Sequence, residues 1–473
     1  MDDIAPPLNS VVATPAGNAA RKARVAIIGG GWAGCAAAVT LAEGGLQVTL
    51  FEQAPMLGGR ARRVERVGLA LDNGQHLLLG AYGETLRLIA RVHGNRPVPT
   101  LYARLPLTLR PFAPRGAGPD LKAWRAPAPL HLALAMLTAR GLRWNSRRAL
   151  IARLLELKRQ RFVVPAGQDV AACFSGLPAE VFDGVLAPLC LAALNTLPHE
   201  ACARLFAGVL QQAFFTRRAM SDFLLPATDL SALFPEAAQR YIEARGAVVR
   251  TGTTVRNLRL GTDGVEFTLA GRDSAFDAVV VAVGPHQLER LFDPAAGQAA
   301  DCARARALTA ALRYESITTV YLSFQRAIAM SGALQRLDDA PGQWVFDRSA
   351  SLGAGGARAA QTLLAVVISA HGPHDELDHA SLTARVLAQL HRLRPELPPL
   401  AWSQVIAERR ATYACTPDLA RPAAGRIGPG LYLAGDYTDP GLPATLEAAT
   451  RSGVKAARDL LADRAAGNGS RGS

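Results

Sequence analysis

Three glycines near the amino terminus have the spacing of a phosphate-binding turn. Gly29, Gly31 and Gly34 form Gly-x-Gly-x-x-Gly directly after an apolar run and before an alanine-rich segment. The first glycine permits a tight turn, the second lets the backbone approach a pyrophosphate, and the third lets a helix pack on the strand. Glu52 ends the next apolar run, where an acid can accept a hydrogen bond from a ribose hydroxyl. The spacing predicts a dinucleotide site on the helix N-terminus.

Two further segments carry residue types that suit the same ligand. Gly58, Gly59 and Arg60 follow Glu52 closely and supply a second flexible turn and a guanidinium for a pyrophosphate. Near the carboxyl terminus, Asp436 ends an apolar run that precedes a last alanine-rich segment. We therefore expect both ends of the chain to contribute to one nucleotide site.

Other candidate clusters are better explained structurally. The histidines and acids between His371 and His379 are more typical of a turn and the acidic first turn of a helix than of a metal site. We expect no metal. The six cysteines lie far apart with no Cys-x-x-Cys spacing, which favours a reducing, cytoplasmic compartment. Cys415 is interpreted as a small buried residue.

The elements that must position these residues come from three parts of the chain. Residues 24–52 have the pattern of a strand, a glycine-rich turn, a helix and a second strand. Strand-like and helical patterns return at 246–283 and 430–461, with long insertions between them. The predicted fold class is α/β, with a split Rossmann-like nucleotide-binding domain and an inserted α+β substrate domain. The predicted boundaries are 23–90, 235–300 and 421–463 for the first domain, 91–234 and 301–420 for the second, and loose tails at 1–22 and 464–473.

These motifs resemble those of the flavin-containing amine oxidase and carotenoid desaturase superfamily, whose FAD domain is also split between the chain ends. The resemblance implies a non-covalent FAD. It also implies that the domain that binds this FAD has a fold of the glutathione-reductase type. It implies that Asp436 binds the ribityl or pyrophosphate region and that the backbone of Val255 contacts the adenine. The helix that opens at Thr445 and Leu446 would point its N-terminus at the pyrimidine edge of the flavin. Ala448 departs from the glycine of many relatives.

A closer resemblance, to the hydroxysqualene dehydroxylases, extends over residues 24–460. It rests on Leu-Asp-Asn-Gly-Gln-His-Leu-Leu-Leu-Gly-Ala-Tyr at 71–82. Further matching segments are 193–196, 200–201, 314–322, 343–348 and 408–413. The resemblance implies that a thirty-carbon allylic alcohol, hydroxysqualene, is reduced to squalene, with an unidentified electron donor for the flavin.

Loss of a hydroxyl group needs a proton donor, because hydroxide is a poor leaving group. The segment that carries Gln75 and His76 runs beside the flavin in relatives, so these two residues are the candidate catalytic groups. A histidine pKa suits proton donation near neutral pH. The alternative for His76 is that it only orders the loop or caps a backbone carbonyl.

Three alternative functions remain open. A carotenoid desaturase of the same fold would remove hydride from its substrate. An amine oxidase is disfavoured because no lysine occurs between Lys158 and Lys455. A scaffold for neighbouring prenyl-synthesis enzymes would carry no essential flavin chemistry.

The net charge of +13 invites nucleic acid or an acidic membrane as a partner. Basic residues are scattered along the chain, whereas a DNA reader gathers them on one stripe, so we expect no nucleic acid. Residues Arg147–Phe162 predict a basic amphipathic helix, with Leu150, Ile151, Leu154, Leu155 and Leu157 on one face. Such a helix is either an ordinary surface helix or a contact with an anionic membrane, which would make the protein peripheral at the inner face of the cytoplasmic membrane.

Overall fold

The computed structural model describes residues 22–66, 68–95, 100–113, 118–261, 264–293, 299–352 and 361–469. Of the predicted amino-terminal tail, residues 1–21 lie outside the described residues. Among the helices in these ranges, none combines the length and apolarity needed to cross a lipid bilayer.

A six-stranded sheet assembled from three parts of the chain forms the base of the molecule. The strands in the described ranges, β1 to β21 in order, are Arg24–Ile28, Gln47–Phe51, Arg63–Arg66, Leu69–Asp72, Leu78–Leu79, Tyr102–Leu105, Thr108–Leu109, Leu121–Lys122, Phe223–Pro226, Val248–Arg250, Val255–Gly261, Gly264–Leu269, Arg272–Phe276, Ala278–Val281, Tyr314–Phe324, Leu334–Arg336, Trp344–Asp347, Thr362–Ser369, Leu400–Tyr413, Gly425–Gly428 and Leu431–Leu433. The six run in the order β10-β2-β1-β14-β21-β20. All neighbours pair in parallel except the edge pair β20 and β21. This confirms the predicted α/β class with a sheet split along the chain.

Helices cover the sheet and build most of the first insertion. In chain order, α1 to α14 of the described ranges are Trp32–Glu43, Gly83–Val92, Leu130–Thr138, Trp144–Arg159, Val170–Cys173, Ala179–Val181, Ala187–Leu194, Ala203–Phe214, Leu230–Leu233, Pro235–Glu243, Pro285–Leu291, Ala300–Ala310, His379–Leu393 and Leu446–Gly469. The apolar run and alanine-rich segment at 25–42 fold as β1 and α1, and most of α1 is buried. Because glycine and alanine dominate α1 and its neighbour α14, their backbones come close together: a Cβ on Gly453 would overlap the carbonyl of Ala33.

A second sheet, in the order β16-β17-β18-β15-β19, lies in the second insertion. Its central strand β15 pairs antiparallel with β18 and with β19 along nearly its whole length. Both central strands are almost fully buried, as expected for strands covered on both faces. Small sheets of β5-β9-β6 and β7-β8 add strands to the first insertion, which the sequence predicts as mostly helical.

Two predicted element boundaries are wrong. The sequence predicts that the carboxyl-terminal tail begins at residue 464, but α14 continues through Gly469. Arg464, Ala465 and Ala466 are good helix formers and extend the helix beyond the predicted boundary. The basic helix predicted at Arg147–Phe162 is α4, which spans Trp144–Arg159. It ends early because Arg161 and Phe162 take positive φ values of 54° and 59°, which a right-handed helix cannot accommodate.

Candidate functional site

Two glycines in the turn between β1 and α1 could not be replaced by another residue without a backbone shift. Gly29 has φ +105°, and a Cβ there would overlap the carbonyl of Ala282, the residue directly after β14. A Cβ on Gly34 would overlap the carbonyl of Gly29. These two glycines therefore allow α1 to approach the sheet closely, which is the role that the motif predicts for its first and third positions.

Gly31, the middle glycine of the motif, faces open space instead. It has an ordinary extended conformation (φ −70°, ψ −179°), and the nearest atom to a Cβ there would be the Cα of Gly59, at 3.9 Å. The second glycine turn lies directly opposite, because the N–H of Gly58 donates to the carbonyl of Gly30 at 2.8 Å. The two turns predicted separately thus form one cradle at the N-terminus of α1, where free N–H groups favour an anion.

Glu52 lies at the end of β2 beside this cradle and is buried. Its carboxylate accepts hydrogen bonds from the N–H groups of Gly30, at 2.7 Å, and Ala54, at 2.8 Å. Its own carbonyl accepts from Thr253, two residues before Val255 at the start of β11. The structure therefore brings together the predicted ribose acid and the predicted adenine contact, although their sequence positions are about 200 residues apart.

Arg60 and Asp436, predicted separately as phosphate-region residues, form an ion pair. The guanidinium Nη2 lies 2.7 Å from the Asp436 carboxylate, and Nη1 donates to the carbonyl of Ala411 at 2.6 Å. The Asp436 side chain is only 9% exposed. Because one edge of Arg60 is engaged by Asp436, this arginine joins the two ends of the chain as well as supplying charge beside the cradle.

Helix α14 begins next to Thr445 and is anchored at the same place. The Thr445 hydroxyl accepts a hydrogen bond from the N–H of Ala448 at 3.1 Å, which is the geometry of an N-cap. One turn further on, the Ser452 hydroxyl accepts from the N–H of Gly435, directly before Asp436, at 2.9 Å. Leu446 is the first residue of this helix, so the positive end of its dipole opens where the sequence predicts.

Gln75 and His76 follow strand β4 and reach the same region. The side-chain amide of Asn73 donates to the carbonyl of Arg60, and the N–H of Gln75 lies 3.3 Å from the Thr319 hydroxyl on β15. The Oε1 atom of Gln75 is buried and has no hydrogen-bond partner among the described residues. Such an atom is costly unless a ligand satisfies it.

The imidazole of His76 is held in one orientation. Its Nδ1 lies 2.8 Å from the carbonyl of Gly74, so Nδ1 must donate and Nε2 is the nitrogen left for a ligand. Burial lowers the pKa of His76 below its usual range, and the nearby charge of Arg60 lowers the pKa further. The imidazolium is therefore the minor form at neutral pH, and it is a stronger acid than a free histidine.

Two contributors to this region were missed by sequence reasoning. The Thr319 hydroxyl contacts the backbone N–H of Gln75. Asp72 is the last residue of β4, the strand that precedes Gln75. The Asp72 side chain is 2% exposed, accepts from the N–H of Leu230 at 2.8 Å and lies 3.5 Å from Arg348. Both residues stand inside matched segments, but their partners are more than 150 positions away, so spacing could not assign them roles.

The clusters judged structural in the sequence have structural surroundings. Asp375 accepts from the Ser316 hydroxyl within a short turn, and Asp378 caps α13 by accepting from Ser381 at 2.8 Å. Across the described ranges, no three His, Cys, Asp or Glu side chains converge as ligands of one metal ion. Cys415 is buried, and burial raises the pKa of its thiol to about 12.

Comparison with known proteins agrees with this geometry. Residues 32–461 match the model of the flavin containing amine oxidoreductases. The chain belongs to the flavin-containing amine oxidoreductase family. Hydroxysqualene dehydroxylase from Rhodopseudomonas palustris is 30% identical over 93% of this chain and 98% of the relative. The protein of the same name from Sinorhizobium fredii is 28% identical with the same coverage. An oxidoreductase from Methanosarcina mazei has the same fold, with a TM-score of 0.69, 17% identity and coverage of 91% and 98% of the two chains.

As a member of this family the protein is a flavin-dependent oxidoreductase. The residues present fit such a cofactor in two respects. A Cβ on Gly31 or Gly59 would enter the space of the cradle, and the buried Gln75 Oε1 lacks a partner in the described part of the chain. When bound, a flavin would supply the redox chemistry, and the protein's own residues would bind and orient the reactants.

Proposed function

We propose that this protein binds FAD without a covalent bond and reduces hydroxysqualene to squalene. The similarity to hydroxysqualene dehydroxylases over nearly the whole of both chains supports this substrate. The observation that carries the proposal is the position of Gln75 and His76. Both belong to the segment that resembles those enzymes. Asn73 of the same segment donates to the carbonyl of Arg60, and the charge of Arg60 lowers the pKa of His76.

FAD would occupy the cradle and the surfaces next to it. Gly31 and Gly59 would leave room for the pyrophosphate, and Gly29 and Gly34 let α1 approach the sheet so that its N-terminus faces the ligand. The carboxylate of Glu52 retains acceptor capacity for a ribose hydroxyl. The remaining contacts are the predicted ones, from Arg60, Val255, Asp436, Thr445 and Leu446. The surroundings of Cys415 support non-covalent binding, because a buried thiol with a pKa of about 12 is rarely the thiolate that forms a flavin bond.

The reaction is balanced by one proton and one hydride. The C–O bond of the allylic alcohol breaks, the oxygen leaves as water after taking a proton, and the allylic carbon gains a hydride. When bound, reduced FAD supplies that hydride. His76 would deliver the proton from Nε2, since Nδ1 is committed to the Gly74 carbonyl. Gln75 would hold the departing oxygen or the cofactor through its unpartnered Oε1.

The setting of the reaction follows from its substrate. A thirty-carbon isoprenoid partitions into the bilayer, so we place the protein in the cytoplasm at the inner face of the cytoplasmic membrane. The six cysteines, which are buried and widely spaced along the chain, suit that reducing compartment. A separate electron donor must reduce the flavin after each turnover. We expect no nucleic acid as a partner, because the relatives that match nearly the whole chain include hydroxysqualene dehydroxylases.

His76 variants provide the test of this assignment. Under anaerobic conditions, protein with reduced cofactor should convert hydroxysqualene to squalene. His76→Ala should keep its flavin absorbance but lose at least a hundredfold in turnover, because one general acid contributes about 10²–10⁴-fold. His76→Gln keeps a hydrogen-bond donor and separates loop ordering from proton transfer. Full activity in His76→Ala would remove His76 from the reaction. Desaturation of a carotenoid precursor by oxidised protein would favour the alternative function.

A further inference from the structure

Exposed apolar side chains are concentrated in one short part of the chain. Seven large hydrophobic side chains are exposed among the described residues, and all but Val248 lie between residues 124 and 163. The six are Trp124, Leu130, Leu137, Trp144, Leu155 and Val163. We call this set the apolar rim. Such a concentration marks an interaction surface, whereas scattered single residues would carry no meaning.

Hydrogen bonds hold the parts of the rim against one another. The indole Nε1 of Trp124 donates to the Thr138 hydroxyl at the end of α3, at 3.1 Å. Arg147 of α4 donates to the carbonyl of Leu137 at 2.7 Å. The strand end before α3, helix α3 and helix α4 therefore form one surface.

Positive charge is concentrated in the same segment. Residues 122–161 contain ten Lys and Arg against a single acid, Glu156, so they carry +9 of the net +13 of the whole chain. The expectation that basic residues are scattered is therefore wrong for this segment. Eight of these side chains are exposed: Lys122, Arg125, Arg140, Arg143, Arg148, Lys158, Arg159 and Arg161.

Helix α4 carries both features on one side. At 100° per residue, Trp144, Arg148, Leu155 and Arg159 fall within a 60° sector, and Trp144 and Leu155 are 54% and 53% exposed. Leu150 and Leu157 lie on the opposite side and are buried. The prediction that Leu150, Leu155 and Leu157 share one face is therefore wrong. The helix has one face in the core and a second, apolar and basic face toward the outside.

An apolar cavity opens behind the rim. It has a volume of about 120 Å³. All of its lining side chains are apolar, and most of them come from α3, α4 and α8. Leu155 belongs to the cavity wall and also to the exposed rim, so the cavity mouth lies at the rim.

Helix α8 connects this cavity with the cofactor region. Leu210 and Phe214 of α8 line the cavity. On the same helix, a Cβ on Gly208 would lie 4.0 Å from the carbonyl of Gly441, in the loop that leads to Thr445 and α14. Helix α8 therefore has the cavity on one side and the loop that leads to α14 on the other.

We propose that the apolar rim docks on an anionic lipid bilayer and that a hydrocarbon substrate passes from the bilayer into the cavity behind it. The rim places apolar side chains at the depth of acyl chains, while the surrounding Arg and Lys pair with anionic headgroups. A protein partner would not require a hydrocarbon-lined cavity opening on the same face. The occupant of the cavity rests on the proposed function, whereas docking of the rim does not.

Vesicle sedimentation tests the docking surface without any turnover. The flavin-loaded full-length protein is mixed with phosphatidylglycerol or phosphatidylcholine vesicles at low and high salt. We expect binding to phosphatidylglycerol vesicles at low salt, at least tenfold weaker binding to phosphatidylcholine, and partial release by salt. Leu130→Glu and Trp144→Glu should each lower binding at least fivefold.

Val248→Glu is the matched control, because it adds the same charge at the exposed hydrophobic residue outside the rim. It should bind vesicles as the unmodified protein does. The docking proposal fails if the unmodified protein stays in the supernatant, if the rim variants bind normally, or if Val248→Glu loses as much binding as they do.

Transfer of squalene from loaded vesicles tests the cavity separately. After the vesicles are removed by flotation at high salt, squalene retained by the protein is quantified. Ala133→Trp fills the cavity and should lower retention severalfold, whereas Val248→Trp should not. Equal retention by both variants would contradict the cavity assignment while leaving docking and the reaction to their own tests.

Discussion

Two glycines of one turn, three residues apart, have opposite tolerances for a side chain. A Cβ on Gly34 would overlap the carbonyl of Gly29, whereas a Cβ on Gly31 would meet only the Cα of Gly59, at 3.9 Å. Gly34 is therefore required by packing, and Gly31 is free of any constraint from the protein itself. The space at Gly31 is best explained by a ligand. Such a ligand would contact the protein backbone at Gly31 so closely that a methyl group would not fit.

Gly31→Ala should accordingly fold normally and lose flavin. Its backbone angles suit alanine, so the melting temperature of the flavin-free protein should change by no more than about 2 °C. Flavin retained after purification, measured by absorbance, should fall at least tenfold. Gly34→Ala is the contrasting variant and should express poorly or melt much earlier. Normal flavin content in Gly31→Ala would contradict the position of the cradle.

Asp72 predicts a pH dependence of stability. Burial raises its pKa to about 6, from about 3.8 for an exposed aspartate. The folded chain therefore binds this proton more readily than the unfolded chain does. Proton binding by Asp72 therefore favours folding at acid pH, and this contribution to the free energy of unfolding is lost as the pH rises through about 6.

Asp72→Asn should remove that dependence while keeping the acceptor for the N–H of Leu230. The charge pair with Arg348 forms only with the ionised carboxylate, so its contribution is already contained in the pKa of about 6. The difference in unfolding free energy, variant minus unmodified protein, should therefore rise by about 2 kcal/mol between pH 4 and pH 7. Denaturant melts across this range measure it. A constant difference would show that Asp72 has an ordinary pKa.

At the scale of elements, helix α2 depends on a residue from the far end of the chain. The carboxylate of Glu447 in α14 accepts the N–H groups of Glu84 and Thr85, at 3.0 and 2.9 Å. The first turn of α2 would otherwise have unsatisfied donors at a partly buried position. Burial raises the pKa of Glu447, and these hydrogen bonds limit that rise.

Glu447→Ala should destabilise the protein by about 1–2 kcal/mol, the usual cost of losing an N-cap. Glu84→Ala serves as a control, since the Glu84 side chain makes only a local pair with Arg87 and should cost less than about 0.5 kcal/mol. Denaturant unfolding compares the two. Equal losses would mean that the link between α14 and α2 carries no particular stability.

Local patterns explain which elements could be predicted. Strand β1, helix α1 and strand β2 follow from an apolar run, glycines and a second apolar run, all within 30 residues. The ends of α4 could not be predicted, because the positive φ of Arg161 and Phe162 depends on the surrounding packing. Its outer face was also assigned wrongly. Spacing alone cannot say which of two apolar sides of a helix meets the core.

At the scale of the whole molecule, the same limit applies to the site. The positions of Gly31, Glu52 and Asp436 follow from motifs, but the Arg60–Asp436 pair joins residues 376 positions apart. No local pattern contains such a pairing. The net charge can likewise be interpreted only from the structure. Its largest part lies in the segment that carries the apolar rim and the cavity mouth.

The central claim is that this flavoenzyme reduces a thirty-carbon allylic alcohol. The most direct measurement is a single anaerobic turnover with protein carrying reduced flavin and hydroxysqualene, with the product identified by mass spectrometry. The account predicts squalene, lighter than the substrate by one oxygen atom, formed in step with reoxidation of the flavin. Unchanged hydroxysqualene with flavin that stays reduced would contradict it.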